Sequence, residues 1–195
     1  MLSPTEIRER YERVKAEVGP GVTVVAATKY VTLADMAVLA EAGIKTVGEN
    51  RVQDLLAKHE AYGPEFGWHF IGRLQSNKVN VVNRLCELVH SLDSHSAAER
   101  LAVPALLQVN LAGETTKGGV APSEMADYLK YGIRGLSTMP PAAEDPEASR
   151  DWFRKLRALA AEHSLAELSI GTTQDYRIAV EEGSTYVRVG SVLFR

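Results

Sequence analysis

The sequence predicts an α/β fold: a closed (β/α)8 barrel of the TIM type, one domain over residues 1–195, with some helices shortened. Three observations predict it. Short apolar runs alternate with helical patterns about eight times, and a parallel crossover needs a connection of helix length, so this alternation favours a parallel sheet. Eight units favour closure over an open sheet. The Gly-x-Gly-x-x-Gly fingerprint of an open dinucleotide-binding sheet is absent after the first strand, where "ATKYVT" stands instead. At 195 residues the chain is shorter than the roughly 200–250 usual for this barrel, so the helices near 95–102 and 123–130 are expected to be stubs.

The elements follow in order. Ser3 suits an N-cap, Pro4 the first helical position and Glu6 the far side of a capping box, opening a helix that runs to about Val18. Gly19-Pro20-Gly21 stops it. The β-branched run over 22–27 is the first strand. Thr32 and Asp35 then open a helix over 32–42, which Gly43 closes. Strands at 44–47, 68–71, 88–91, 105–110 and 133–136 alternate with helices at 50–61, 75–85, 95–102 and 123–130. A loop rich in Pro, Ala and acids over 137–149 leads into an amphipathic helix at 147–163. A strand at 167–170, a helix at 174–182 and a strand at 186–189 complete the alternation.

Composition excludes several classes. A formal net charge of -3 with no long block of like charge argues against a nucleic-acid binder, although basic residues gather lightly from Arg73 to Lys78 and leave room for local anion binding. The lone Cys86 offers neither an internal disulfide nor a metal-type spacing, so a reducing compartment, the cytoplasm, is expected, with no metal site. The start lacks the apolar core of a signal peptide, and no apolar run approaches the ~18 residues of a membrane span.

In such a barrel functional groups sit at the C-terminal ends of strands. Lys29 falls there on the first strand, the one charge in "VTVVAATKYV". Other strand ends bring Glu49 and Asn50, His69 and Arg73, Asp93, Asn110, Ser137 and Met139. The seventh and eighth bring Gly171, Thr172 and Thr173, then Arg188, Gly190 and Ser191. A lysine partly desolvated at this rim has a lowered pKa and is a nucleophile towards aldehydes, able to form a Schiff base. "SIGTTQDY" and "VRVGSVLF" each set hydroxyls or glycine before a helical segment, where backbone N–H groups favour an anion. Lysine facing two such sites points to a phosphorylated aldehyde, of which pyridoxal 5′-phosphate (PLP) is the common one. His69 reads as a packed histidine, because no Asp or second His lies at triad or metal spacing. "NLAGETTKGGV" is no Walker A loop and reads as a mobile rim loop.

The strings "AATKYV", "VGENRVQD", "WHFIGRLQSNK", "SLDS", "QVNLAGETTKGGV", "RGLSTMP" and "GSTYVRVGSVLF" resemble the pyridoxal phosphate homeostasis proteins, small relatives of the alanine racemase N-terminal barrel. The resemblance runs from about Val22 to the end of the sequence, and "WHFIGRLQSNK" is its most specific part. It implies PLP held as a Schiff base on Lys29, its phosphate among Thr172, Thr173, Gly190 and Ser191, Arg188 near the pyridine nitrogen, and Asn50 beside Lys29. It also implies a carrier or regulator without catalytic turnover. Its partners are PLP and apo forms of PLP-dependent enzymes; it leans monomeric, with exposed helices that leave room for a dimer face. The racemase relatives add a second domain and a second base, for which these 195 residues leave no room. Two other readings stay open: a small PLP-dependent racemase or decarboxylase, and an aldolase using Lys29 on a sugar phosphate. The chain departs from the family pattern at Gly171-Thr172-Thr173, where Gly-Met-Ser is common, with Asp175 in the place of the usual acid.

Overall fold

Eight parallel strands close a barrel in the order in which the chain makes them, the eighth pairing back onto the first. A computed structural model describes residues 2–195. The strands are β1 (Thr23–Ala27), β2 (Thr46–Glu49), β3 (Gly67–Phe70), β4 (Leu88–Leu92), β5 (Ala105–Gln108), β6 (Gly135–Ser137), β7 (Glu167–Thr172) and β8 (Tyr186–Val189). The helices are α1 (Pro4–Val18), α2 (Met36–Ala42), α3 (Val52–Tyr62), α4 (Val79–Leu85), α5 (His95–Ala98), α6 (Arg150–Glu162), α7 (Tyr176–Glu181) and α8 (Ser191–Phe194). The two expected stubs are short: α5 is one turn, and Pro122–Tyr131 is a 3-10 helix.

Side chains alternate across the sheet with the strand period of two. One set, including Val24, Val47, Trp68, Leu107, Leu168 and Val187, joins the apolar layer under the helices. The other set fills the barrel and is partly polar: His69, His90, Ser169 and Arg188 are all buried there, with Val25 and Leu106. Packing between strands is close enough to demand glycine at Gly135, where an added Cβ would lie 1.9 Å from the Glu167 carbonyl oxygen.

The entry to α1 follows the sequence. Glu6 N–H donates to Ser3 Oγ at 3.3 Å, and Ser3 N–H donates to Glu6 Oε2 at 2.8 Å. Elsewhere boundaries move for physical reasons. Thr32 and Asp35 do bond to each other, at 2.6 and 3.2 Å, but they cap a turn, and α2 starts only at Met36. The second strand lies later than 44–47, because the Ile44 N–H closes α2 on the Leu39 carbonyl and the strand then continues through the buried Glu49. The sixth likewise shifts from 133–136 to Gly135–Ser137, and the fifth ends at Gln108. Among the described residues no helix is long and apolar enough to cross a membrane, and no group of three His, Cys, Asp or Glu side chains is placed to hold a metal ion.

Candidate functional site

Beyond Ala27, the chain turns sharply. Val31 N–H donates to the Thr28 carbonyl at 2.9 Å, so Lys29 and Tyr30 form the corner of a tight turn at the barrel mouth. A corner residue projects away from its own backbone, so Lys29 is exposed and its ammonium lies 4.9 Å from the centre of the Tyr30 ring. The expectation of a partly desolvated lysine is therefore corrected: the amine stands at an open rim.

Beneath that corner the anchorage is fully buried. Lys58 of α3 donates to the Thr28 carbonyl at 2.8 Å and to Glu49 Oε1 at 2.5 Å. Thr28 Oγ1 donates to the same carboxylate oxygen at 2.5 Å. Glu49 and Thr28 are entirely enclosed, and Glu49 Oε2 has no partner among the described residues. Sequence reasoning set Glu49 on the polar rim; the structure seals it between β2 and α3. The cost of burying this charge is offset only because both the ammonium and the hydroxyl meet it.

The mouth opens into a cavity of about 500 Å³ between β1, β7 and β8. Lys29, Thr172, Thr173, Arg188, Gly190 and Ser191 all line it. Thr173 Oγ1 accepts the Gly190 N–H at 3.1 Å, which ties the two last strand ends together. Thr172 bonds to Asp175 Oδ1 through its N–H, at 2.7 Å, and its hydroxyl, at 3.0 Å. Ser149 holds the other oxygen of Asp175 at 2.8 Å. Asp175 thus organises the β7 turn. The N–H groups of Thr173, Gln174 and Ser191 take no acceptor among the described residues, which leaves donors directed to an anion on this side. Asn50 is the exception among the seven residues named from the sequence: it lines a separate cavity with Arg51 and Arg73, not the one that Lys29 borders. The reason is the rim geometry of β2 and β3, where Gly72 packs so closely on Asn50 that an added Cβ would lie 2.0 Å from its carbonyl oxygen.

Arg188 enters the cavity from the barrel floor. Burial pulls its pKa down to about 10, so it stays cationic at neutral pH. Its Nη1 donates to Ser169 Oγ at 3.1 Å, and its Nη2 donates to the Thr138 carbonyl at 3.2 Å and Met139 Sδ at 3.1 Å. Ser169 lies 2.7 Å from His90 Nδ1, and His90 Nε2 lies 2.8 Å from His69 Nδ1. Ser169 Oγ accepts from the guanidinium and shares one hydrogen with His90 Nδ1, and His90 Nε2 shares one with His69 Nδ1, with the tautomers setting the directions. Both rings are neutral at neutral pH. Burial keeps them so, pushing His69 down to about 4 and, with His69 and Arg188 as neighbours, His90 well below its ordinary value. His69 is packed, as read, with His90 as its partner. His90 went unremarked because the two are 21 residues apart, yet the β3–β4 register, His69 beside Leu88, sets them nearly side by side.

The loop read as a mobile cover carries hydrogen bonds to its surroundings. Lys117 donates to the Pro140 carbonyl at 2.7 Å and pairs with Glu114 at 2.8 Å, and Gln108 Nε2 donates to the Gly118 carbonyl at 2.8 Å.

The alanine racemase N-terminal domain family matches residues 2–195. The pyridoxal phosphate homeostasis protein of Aquifex aeolicus is 42% identical over 175 residues, covering 78% of this chain and 77% of that one. Its namesake in Synechocystis is 35% identical, over 100% of this chain and 98% of the other. PipY of Synechococcus elongatus, solved with PLP bound, matches with a TM-score of 0.89 at 32% identity, over 97% of this chain and 100% of that one. A lysine/ornithine decarboxylase of Vibrio vulnificus matches with a TM-score of 0.73 at 15% identity, over 98% of this chain and 62% of that one, and shares the fold alone. The barrel is thus of the alanine racemase N-terminal type. Within that type, the chain belongs to the family of the pyridoxal phosphate homeostasis proteins.

Proposed function

We propose that this protein binds pyridoxal phosphate in the β1–β7–β8 cavity and serves its homeostasis in the cytoplasm, with Lys29 as the attachment residue and without a turnover of its own. The observation that carries the reading is the convergence of an amine, a buried guanidinium and a set of hydroxyl and N–H donors on one cavity of about 500 Å³, a volume suited to a small cofactor. When bound, PLP supplies an aldehyde that condenses reversibly with an amine. The residues fit it. Lys29 would offer that amine at the rim, Thr172, Thr173, Gly190 and Ser191 would hold the phosphate, and Arg188 would meet the ring nitrogen. Asn50, which follows β2 and lines the neighbouring cavity, stays in the proposed set as the residue beside Lys29.

Arg188 supports the absence of turnover. A guanidinium donates a hydrogen bond but keeps its proton, so a ring nitrogen facing it remains unprotonated and withdraws electrons weakly. The exposed Lys29 suits loading and release, including hand-over to apo PLP-dependent enzymes, more than a sealed reaction chamber. The protein acts as a monomer in this reading.

The test is direct. Purified protein incubated with PLP becomes yellow, and borohydride then fixes the cofactor's mass on the peptide containing Lys29; Lys29→Ala does neither. Labelling elsewhere, or none, overturns the site. Amino-acid racemisation or decarboxylation at the ~1–10³ s⁻¹ of ordinary enzymes overturns the non-catalytic reading. Labelling that requires an added sugar phosphate instead of PLP marks an aldolase.

A further inference from the structure

A second cavity of about 140 Å³ opens at the ends of β2 and β3, lined by Asn50, Arg51, Gln53, Arg73, Gln75 and Lys78 among others. Three of these side chains are cations and three are amides; no carboxylate is in the lining. Arg51 and Lys78 have no ion-pair partner among the described residues. Arg73 meets only Asp93, at 3.7 Å, from a side chain that is 81% exposed, a contact that holds little charge in water. Three cations line one small concavity, an arrangement that favours an anion there.

The backbone acts in the same direction. Arg51 is the N-cap of the 11-residue α3, and no side chain caps that helix. Its first amides therefore keep their donors for an incoming acceptor, at the positive end of the helix dipole. The floor is fixed. Gly72 admits the Asn50 backbone at a distance no other residue allows, and Phe70 is 1% exposed. The volume is far smaller than that of the Lys29 cavity and suits one tetrahedral anion better than a ring system.

We propose that this cavity is a second binding site, for a small phosphate dianion, either inorganic phosphate or the phosphate group of a small monoester. Arginine and the amides supply directed hydrogen bonds, and Lys78 a point charge. None of the residues lining it lines the Lys29 cavity, so occupancy of the two is read separately.

Amide-resolved nuclear magnetic resonance titration of the full chain tests it, with inorganic phosphate in one arm, glycerol phosphate in the second and acetate as the control. Saturable shifts at Arg51, Val52, Gln53 and Lys78 in either phosphate arm, absent with acetate, are expected. A tighter midpoint with inorganic phosphate assigns the free ion, and a tighter midpoint with glycerol phosphate assigns a monoester. Arg51→Gln/Lys78→Gln weakens that binding at least tenfold, the scale of one lost charged hydrogen bond, with the remaining resonances unmoved. Shifts confined to Thr172, Thr173 and Ser191, shifts that persist in the double variant, or no saturation in either phosphate arm each overturn the proposal. The two groups of resonances are read separately, so failure here leaves the Lys29 site to its own test.

Discussion

Thr28 decides where Lys29 points. Its carbonyl accepts both the turn-closing N–H of Val31 and the buried ammonium of Lys58, so the proposed attachment residue stands on a corner held from two sides. Removing Lys58 leaves Glu49 charged and enclosed. Lys58→Met is expected to cost roughly 3–5 kcal/mol of stability, read as a lower urea midpoint, and Lys58→Met/Glu49→Gln to recover part of that loss. If the double variant is no more stable than the single, the charge pair is not what holds this corner. At the opposite rim Thr173 accepts the Gly190 N–H and lines the cavity. Thr173→Ala should release PLP about five times faster, from the ~1 kcal/mol net worth of one hydrogen bond. A stopped-flow chase with excess apoenzyme measures it, and an unchanged rate would move the phosphate elsewhere. That Lys29, Thr172, Thr173, Arg188, Gly190 and Ser191 line one cavity was legible because strand ends can be read along the chain. That Asn50 lines a neighbouring one was not, because the adjacent rim of a barrel belongs to whichever neighbour packs there, and Gly72 packs there.

Among the elements, α6 and α7 are joined by charge. Glu182, just after α7, accepts from Arg150 at 2.9 Å and Arg154 at 3.1 Å and lies 3.5 Å from Arg157. These arginines recur at i, i+4 and i+7, one face of α6. The Arg150 hydrogen bond holds the Glu182 carboxyl below the usual carboxylate range. Glu182→Gln keeps the shape and removes the charge that three cations share. It is expected to lower stability by about 1–2 kcal/mol at neutral pH and by less in high salt, and equal losses at low and high salt would mean that the amide's packing, and not the charge, was at fault. The alternation of elements was visible in the sequence because β-branched runs and capping residues act locally, as at Ser3, Pro4 and Glu6. Boundaries were not visible where distant groups set them: β2 continues through Glu49 only because Lys58, nine residues on, neutralises it.

For the whole molecule, the polar barrel interior makes stability depend on pH. His69 titrates at about 4 in the fold against 6.5 in an ordinary setting. A depressed value means the unfolded chain takes up protons first, so the contribution is complete above about 6.5 and is lost as pH falls through that value towards 4. The shift corresponds to something on the order of 3 kcal/mol. Thermal melts between pH 7 and 4 should show the melting temperature falling through this window, and His69→Asn should flatten the fall; an equally steep loss in that variant would place the acid sensitivity elsewhere. Arg188→Ala should keep the barrel folded and weaken PLP binding in a spectral titration, since Ser169 keeps His90 within reach. Unchanged affinity would remove Arg188 from the site. The His69–His90 pair escaped sequence reading because a search for spacings along one chain does not see lateral register between strands.

The line from Arg188 through Ser169 and His90 to His69 crosses the barrel at a depth where His90 is wholly enclosed. The hydrogen between the two rings therefore leaves only when the cylinder parts. After transfer to heavy water its replacement by deuterium becomes a clock, counting how often the interior breathes, and its pace in the empty and the loaded protein measures how far a guest at the mouth stills the floor below.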